Sequence, residues 1–299
     1  MTLAVPAPTR SDSVRGIMSM LAAMAVFVFN DTLVKLAAAH IPIGEAIFVR
    51  GLFSTSLCLI LIIASGLSWA LPHALSRRIL LRGSLDIGSS VLFLVALVHM
   101  PIGDVVGIIQ FTPLAITAGA ALFLGAKVGW RRWLATLVGL VGVLIIVRPG
   151  ASAFNPFAFL VLGSLLFSAS RDLITRGVAQ EVPSLVIAGS SSAAVTLASL
   201  GFLLFESWQW PPLLVVAMLA TSAALLLAGQ YWLIAAMRTG EIAVVAPFRY
   251  SVMAWAIASG FIVWGEVPDL MSWIGIAIVS LAGLYTFLRE QHLARLAKQ

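Results

Sequence analysis

Ten long apolar runs occupy nearly the whole chain, each parted from the next by a few polar or helix-breaking residues. Their approximate bounds are 16–38, 43–65, 83–99, 103–125, 131–148, 156–177, 183–205, 212–237, 241–264 and 270–288. A helix needs about 20 apolar residues to cross the hydrocarbon core of a bilayer, and each run is close to that length. The runs are continuously apolar and do not alternate at period two, which argues against barrel strands. The pattern predicts an all-α polytopic membrane protein with ten transmembrane helices and little chain left for a folded extramembrane domain. Arg10 and Arg15 before the first run, with Ala37-Ala38-Ala39 after it, imitate a secretory signal and its cleavage site. The run is too long for that, and more apolar chain follows.

Polar residues add symmetry to this pattern. Asp31, Lys35 and Pro42 map onto Asp172, Arg176 and Pro183 at a constant offset of 141. Gly103-Asp104-Val105-Val106 through Gln110-Phe111-Thr112 matches Ile242-Ala243-Val244-Val245 through Arg249-Tyr250-Ser251 at offset 139, and Gly125 and Trp133 match Gly265 and Trp273 at offset 140. The chain therefore divides into residues 1–150 and 151–299, with five spans in each half. An odd number of spans forces the second half into the opposite orientation. Inverted five-helix repeats of this kind are a hallmark of secondary transporters.

Charge sets the orientation. Of 18 Lys and Arg residues, 14 fall at the termini and in the loops on the N-terminal side: Arg10, Arg15, Arg77, Arg78, Arg82, Lys127, Arg131, Arg132, Arg171, Arg176, Arg238, Arg289, Arg295 and Lys298. Lys35 and Arg148 lie on the other side, and Arg50 and Arg249 lie within spans. The positive-inside rule then places both termini in the cytoplasm, and Trp208 and Trp210 beside Pro211-Pro212 mark the opposite interface.

Composition narrows the function. The chain is 61% hydrophobic and 10% charged, with mean hydropathy +1.06, whereas soluble domains carry about 25% charged residues. That excludes a soluble enzyme, a nucleic-acid-binding protein and a disordered chain. The +6 net charge and pI of 10.2 come from residues flanking apolar runs and do not imply a nucleic-acid partner. Cys58 is the lone cysteine, so no intramolecular disulfide can form. The histidines, His40, His73, His99 and His292, lie at or beyond span ends, and no H-E-x-x-H, C-x-x-C, G-x-S-x-G or Walker A motif occurs. Asp31 and Asp172 fall at opposite faces, too far apart for an acid-protease pair. No enzyme activity, cofactor or metal site is expected, and no channel filter loop is visible.

Val49-Arg50-Gly51 in span two, Gly265-Glu266 and Trp273-x-Gly275, within ten spans in two halves, resemble the drug/metabolite transporter superfamily, EamA type, over essentially the full length. The resemblance is strongest to its YddG-type aromatic amino acid exporters of bacterial inner membranes. It implies export of aromatic and other apolar amino acids by alternating access. The first four spans of each half would surround a central cavity, with spans five and ten to the side. The first half departs from the pattern with Ala126-Lys127 where the second has Glu266.

Ionisable and polar residues inside spans are the candidate substrate contacts, because burying them in hydrocarbon is costly. Arg50 offers a fixed guanidinium fork for a carboxylate, or else snorkels outward or pairs with Glu45 or Asp31. Arg249 and Tyr250 in span nine match Gln110 and Phe111 in span four, and pairing of Arg249 with Glu241 would need too long a reach. Asn30 in span one, Ser89, Ser90 and Phe93 in span three, and Gln230, Tyr231 and Trp232 in span eight complete the candidates. Asp31 and Asp172 are either proton relays or salt-bridge partners of Lys35 and Arg176 four positions on. Gly139, Gly142, Ala135, Gly275 and Gly283 suit close helix packing. Pro101, Pro113, Pro247 and Pro268 suit kinks or span ends. Positive charges deep in the spans favour an anionic or zwitterionic solute over the alternative of drug-like quaternary ammonium compounds. Nucleotide sugars would call for more basic residues. The expected partners are this small molecule and the lipid bilayer, with the protein a monomer or homodimer.

Overall fold

The computed structural model describes residues 10–124, 129–150, 154–175, 182–239 and 242–296. Gly125, Ala126, Lys127, Arg176, Glu241 and Lys298 lie outside them, as do the side chains of Arg10, Arg238, His292 and Arg295. The described chain is helical throughout: α1 (Arg10–Ala37), α2 (Ile43–Ala64), α3 (Arg77–His99), α4 (Ile102–Ile109), α5 (Thr112–Leu124), α6 (Trp130–Val147), α7 (Ala158–Thr175), α8 (Ser184–Ser199), α9 (Leu213–Thr239), α10 (Ile242–Val245), α11 (Ser251–Trp264) and α12 (Leu270–Leu296). Short 3-10 segments lie at Ser68–Leu75, Leu200–Leu204 and Ala246–Tyr250.

Nine stretches among the described residues are long and apolar enough to cross a bilayer, the shortest being α6 and the longest Asp12–Ala37 of α1. The expected span at 156–177 corresponds to α7, which is not one of the nine and runs up against the undescribed residues 176–181. α7 nevertheless packs along α3 inside the bundle.

Local chemistry sets the boundaries. Pro42, Pro101 and Pro183 precede α2, α4 and α8 with φ of −56°, −57° and −59°, where the missing N–H costs nothing. Gly265 ends α11 at φ +67°, and the Glu266 amide returns to the Gly260 carbonyl at 3.0 Å. Two expected continuous spans are broken. Span four parts at Gln110-Phe111, just before Pro113, and span nine passes through the 3-10 segment containing Pro247. Proline lacks the N–H that would carry an α-helix through those points.

α1 packs on α9, α2 on α8, α3 on α7, α4 on α11 and α6 on α12. At the face where α1 ends, Lys35 meets the Glu266 turn after α11, Asn155 before α7 donates to the His99 carbonyl ending α3, and Arg148 ending α6 meets Asp269 before α12. These contacts fix alternating helix directions. We call this the far face, and the face where α1 begins the near face. The common core draws on α1–α7, α9, α11 and α12, with Leu97, Ile102, Val105, Ile108, Leu114 and Val279 fully buried. Apolar side chains such as Ile60 and Ile63 on α2, Leu137 on α6 and Leu281 on α12 are exposed, as lipid-facing positions should be. α6 and α12 approach most closely at two glycines: a methyl group added to Gly142 would sit 2.9 Å from the Gly275 carbonyl oxygen.

Candidate transport pathway

α1, α2 and α9 bring the first polar group together. On α1, Asn30 is 3% exposed; its Nδ2 donates to Asp31 Oδ1 at 2.8 Å, and its Oδ1 accepts from Ser222 Oγ of α9 at 2.7 Å. Asp31 lies within electrostatic reach of Arg50 on α2, with no contact ion pair between them. Arg50 Nε is buried with no hydrogen-bond partner. Arg50 stands seven residues into α2 from the far face, about 10 Å along the helix. Glu45, the other partner considered for Arg50, is instead buried at the start of α2, where the backbone of Gln209 meets its carboxylate.

The second group joins α3, α7 and α8 nearer the other face. Asp86 Oδ2 accepts from Arg82 Nη1 at 3.1 Å, and its Oδ1 accepts from Arg171 Nη1 at 2.6 Å. Arg171 also donates to Asp172 at 2.9 Å and to Ser168 Oγ at 3.0 Å, while Arg82 reaches Ser191 Oγ of α8. One turn along, Ser164 Oγ donates to the Ser89 carbonyl at 2.8 Å. Charges in the middle of a bundle are tolerated when each meets an opposite charge, and Asp86 supplies that for two guanidiniums at once.

Hydroxyls lie between the two groups. At the α2–α8 contact Thr55 Oγ1 donates to Ser192 Oγ at 3.1 Å and lies 3.4 Å from Thr196 Oγ1. α2 and α8 thus carry polar side chains from Arg50 through Thr55 and Thr196 to Ser191.

Lys35 is a correction to the expected pairing. Its Nζ does not meet Asp31 but donates to the Met100 carbonyl at 2.7 Å and to Glu266 Oε1 at 3.1 Å, 4.6 Å from the Trp264 ring centroid. Glu266 Oε2 also accepts from the Ile102 amide at 3.3 Å. The Gly-Glu pair of the family resemblance therefore ties α1, the α3–α4 turn and the end of α11 together. Asp172 likewise pairs with Arg171, its expected partner Arg176 being outside the described residues. Arg148, at φ +49°, is held at the end of α6 by Asp269, with Nη1 donating to Oδ2 at 2.5 Å and Nη2 to Oδ1. The guanidinium keeps the Asp269 carboxyl well below the usual carboxylate range, and Asp269 in turn pushes Arg148 up.

Of the nine expected substrate contacts, Asn30 is bound to Asp31 and Ser222, and Arg50 lies within electrostatic reach of that same Asp31. Phe93 is half-buried on α3 against the core, and Gln110 is half-buried at the α4–α5 break. Phe111 packs beside Gly139 of α6, and the Tyr250 hydroxyl sits against Gly283 of α12. Gln230, Tyr231 and Arg249 are exposed, Tyr231 at 70%. A largely apolar cavity of about 610 Å³ between α11 and α12 is lined by Tyr250, Met253, Phe261, Trp273 and Ile276 among others. It opens beside the exposed Phe261 and Trp273, to the side of the bundle. Sequence reasoning missed Arg82, Asp86, Arg171, Ser191 and Ser222. The i,i+4 spacing of Arg82 and Asp86 was the available signal.

Residues 14–148 match the EamA-like transporter family. A riboflavin transporter of Vibrio cholerae is 32% identical over 205 residues, 68% of each chain. The chain belongs to the EamA-like transporter family. A pseudopaline exporter of Pseudomonas aeruginosa is 28% identical, covering 88% of this chain and 93% of that one. An S-adenosylmethionine uptake transporter of Rickettsia bellii is 26% identical over 88% and 89%. A crystal structure with 16% identity superposes with a TM-score of 0.63 over 95% of this chain and 99% of the other, a likeness of fold. This EamA-family chain is a multi-pass membrane transporter of a small molecule. Its family and relatives are transporters and not enzymes. These relatives are named for riboflavin, pseudopaline and S-adenosylmethionine rather than for aromatic amino acids.

Proposed function

We propose that the chain is a secondary transporter of the bacterial inner membrane that exports aromatic and other apolar amino acids by alternating access. In this reading residues 1–150 and 151–299 are two inverted five-span halves, and both termini are cytoplasmic. The helix pairing supports the repeat. Exchanging every span for the one five places on turns the α1–α9 contact into the α7–α3 contact and leaves the other three pairings as they are. Matched breaks in spans four and nine support it too, since paired discontinuous helices accompany midplane binding sites in transporters.

One observation carries the substrate reading: half-buried Arg50, about two turns into α2, has its Nε buried and unpartnered and lies within electrostatic reach of Asp31. A planar guanidinium fork suits a carboxylate. Asn30 and Arg50 then hold the polar end of the solute, and Phe93 and Gln110 face its remainder. Phe111 and Tyr250 act by anchoring the broken spans on α6 and α12. Gln230, Tyr231 and Arg249, exposed in this structure, are not required to hold the polar end of the solute. A second reading, a larger heteroaromatic solute, is favoured by the similarity to a riboflavin transporter. S-adenosylmethionine, in the name of another relative, carries an α-amino acid group of its own.

The test is counterflow of labelled phenylalanine, leucine, riboflavin, S-adenosylmethionine and a quaternary ammonium dye into liposomes holding the purified protein. Phenylalanine and leucine flux that falls at least about tenfold in folded Arg50→Ala, while Arg249→Ala stays near wild type, is the expected result. Flux of riboflavin or the dye without amino acid flux refutes the amino acid reading. Flux indifferent to Arg50→Ala returns that residue to structure.

A further inference from the structure

We propose that the groove between α6 and α12 at the near face is a binding site for one anionic phospholipid, whose headgroup meets Arg131 and Arg289 while an acyl chain lies along the helix seam. The groove follows from how the two helices pack. Gly142 of α6 meets the backbone of Gly275 of α12, and the same antiparallel register carries Ala135 and Ala282 to one level, about two turns closer to the near face. Both alanines are buried. So little side chain in the seam leaves a cavity of about 360 Å³, floored by Ala135 and Ala282 and walled by Leu134, Val138, Leu281 and Tyr285. The four wall residues are exposed on the outside of the bundle, where lipid tails lie. From Trp130 to Val138 the wall runs about 12 Å along α6, long enough to hold a stretch of extended acyl chain.

The polar residues of the groove collect at one end. Trp130 and Arg131 open α6, and the Arg131 guanidinium lies 5.3 Å from the Trp130 ring centroid. On α12, Arg289 Nη1 donates to the Tyr285 hydroxyl at 3.1 Å. Arg131 and Tyr285 both line the cavity, so the two guanidiniums stand at its mouth, one on each wall. Arg289 lies about 28 Å along α12 from the start of that helix at Leu270 on the far face. The hydrocarbon core is about 30 Å thick, which puts both arginines at headgroup depth. Trp130 and Tyr285 are the amphipathic rings that favour this depth. Neither guanidinium meets a carboxylate among the described residues, and each has donors left for phosphate oxygens. Two positive charges above an apolar groove match a lipid of net negative charge, whereas a zwitterionic headgroup brings a cation of its own to the same place. A second copy packed here symmetrically would bring Arg131 and Arg289 of both chains into one interface, like charge beside like charge. In the proposed orientation the site faces the cytoplasmic leaflet, whose negative surface potential comes from such lipids.

The test is native mass spectrometry of the delipidated full chain in detergent, titrated with dioleoyl phosphatidylglycerol and with dioleoyl phosphatidylcholine. The two lipids share their chains and differ in headgroup charge. Wild type should retain one phosphatidylglycerol per chain with an affinity about ten- to thirtyfold above that for phosphatidylcholine, the range expected for two basic residues at an anionic surface. Arg131→Gln and Arg289→Gln should each weaken phosphatidylglycerol about fivefold, and the double variant should bind the two lipids alike. Val138→Trp fills the groove, leaves both arginines in place and should weaken both lipids. Arg15→Gln, at an exposed near-face position on α1, should keep the wild-type preference.

Equal affinity of the wild-type protein for the two lipids overturns the proposal, as does a double variant that keeps the wild-type preference. A loss in Arg15→Gln as large as in Arg131→Gln overturns the assignment to this groove, because the attraction is then a diffuse property of the near face. Glycerol 1-phosphate that displaces phosphatidylglycerol at equal concentration makes this a site for soluble phosphate and overturns the lipid. A lipid-free dimer that Val138→Trp dissociates gives the groove to a second copy and overturns it too. Should Val138→Trp fail to fold, the arginine variants still decide. None of these outcomes depends on which solute the chain carries, so failure here leaves the amino acid reading standing.

Discussion

Removing the charge of Asp86 while keeping its shape is the sharpest test of how the bundle tolerates its internal arginines. Asp86 is 6% exposed and joins Arg82 on its own helix to Arg171 on α7. In Asp86→Asn both guanidiniums stay in place, Arg171 keeps Asp172, and the group passes from neutral to a charge of +1. Breaking a buried ion pair by removing one partner costs about 3–5 kcal/mol. The Arg82 and Arg171 side chains retain 15% and 25% exposure, so partial solvation lowers the expected cost to about 2–4 kcal/mol. At about 2–4 °C per kcal/mol for a chain of this size class, the loss is about 4–16 °C in Tm. The assay is the temperature at which half of the detergent-purified protein leaves its monodisperse chromatographic peak. Ser84→Ala, on an exposed position of the same helix, is the control and should stay within about 1 °C. Arg82→Gln combined with Asp86→Asn restores neutrality, so the double variant should be more stable than the sum of the two single losses predicts, by about 1 kcal/mol or more. An Asp86→Asn protein that melts with wild type, or a double variant whose losses simply add, refutes this account.

Other expectations follow from neighbouring contacts. Gly142→Ala forces α6 away from the Gly275 carbonyl and should cost about 1–3 kcal/mol, read as a lower melting temperature; Gly129→Ala, with open space around it, tests the specificity of that effect. Lys35→Met leaves Glu266 with only the Ile102 amide and should cost about 1–3 kcal/mol after allowing for the 27% exposure of Glu266; substrate ranking should not change. Arg148 holds the Asp269 carboxyl below its ordinary value of 3.8. A depressed carboxylate stabilises the folded state fully above the unfolded value and loses that contribution as pH falls through the folded one. The Tm difference between wild type and Asp269→Asn should therefore be equal at pH 7.5 and pH 5 and shrink only below about pH 4, and a difference that vanishes by pH 5 refutes the clamp.

The span positions were legible because a bilayer demands runs of apolar residues that little else produces. α2, α6, α9 and α12 begin within a residue or two of where the pattern puts them. α3 begins at Arg77 and not at 83, because Arg77, Arg78 and Arg82 read as a cytoplasmic flank. Asp86 and Ser191 are what allow Arg82 to lie inside the helix. Arg171 was counted as a flank for the same reason. The charge bias that gives orientation thus concealed the second polar group. Within the spans, periodicity could not sort interior from exterior, since lipid tails are as apolar as a helix–helix contact. Gln230, Tyr231 and Arg249 look like Asn30 in the sequence, and only the helix packing shows the three exposed and Asn30 buried. The breaks at Gln110-Phe111 and Ala246–Tyr250 were marked by Pro113 and Pro247, although proline also kinks helices without breaking them.

The close approach of Thr55 to Thr196 has a geometric consequence under the proposed repeat. The two residues are 141 apart, the same spacing that carries Asp31 to Asp172. A side chain that meets its own counterpart lies on the pseudo-twofold axis, and points on an axis do not move when the two sides trade shapes. These hydroxyls are then a bearing: the mouths at either end open and close around them, while the waist between α2 and α8 keeps one geometry through the whole cycle.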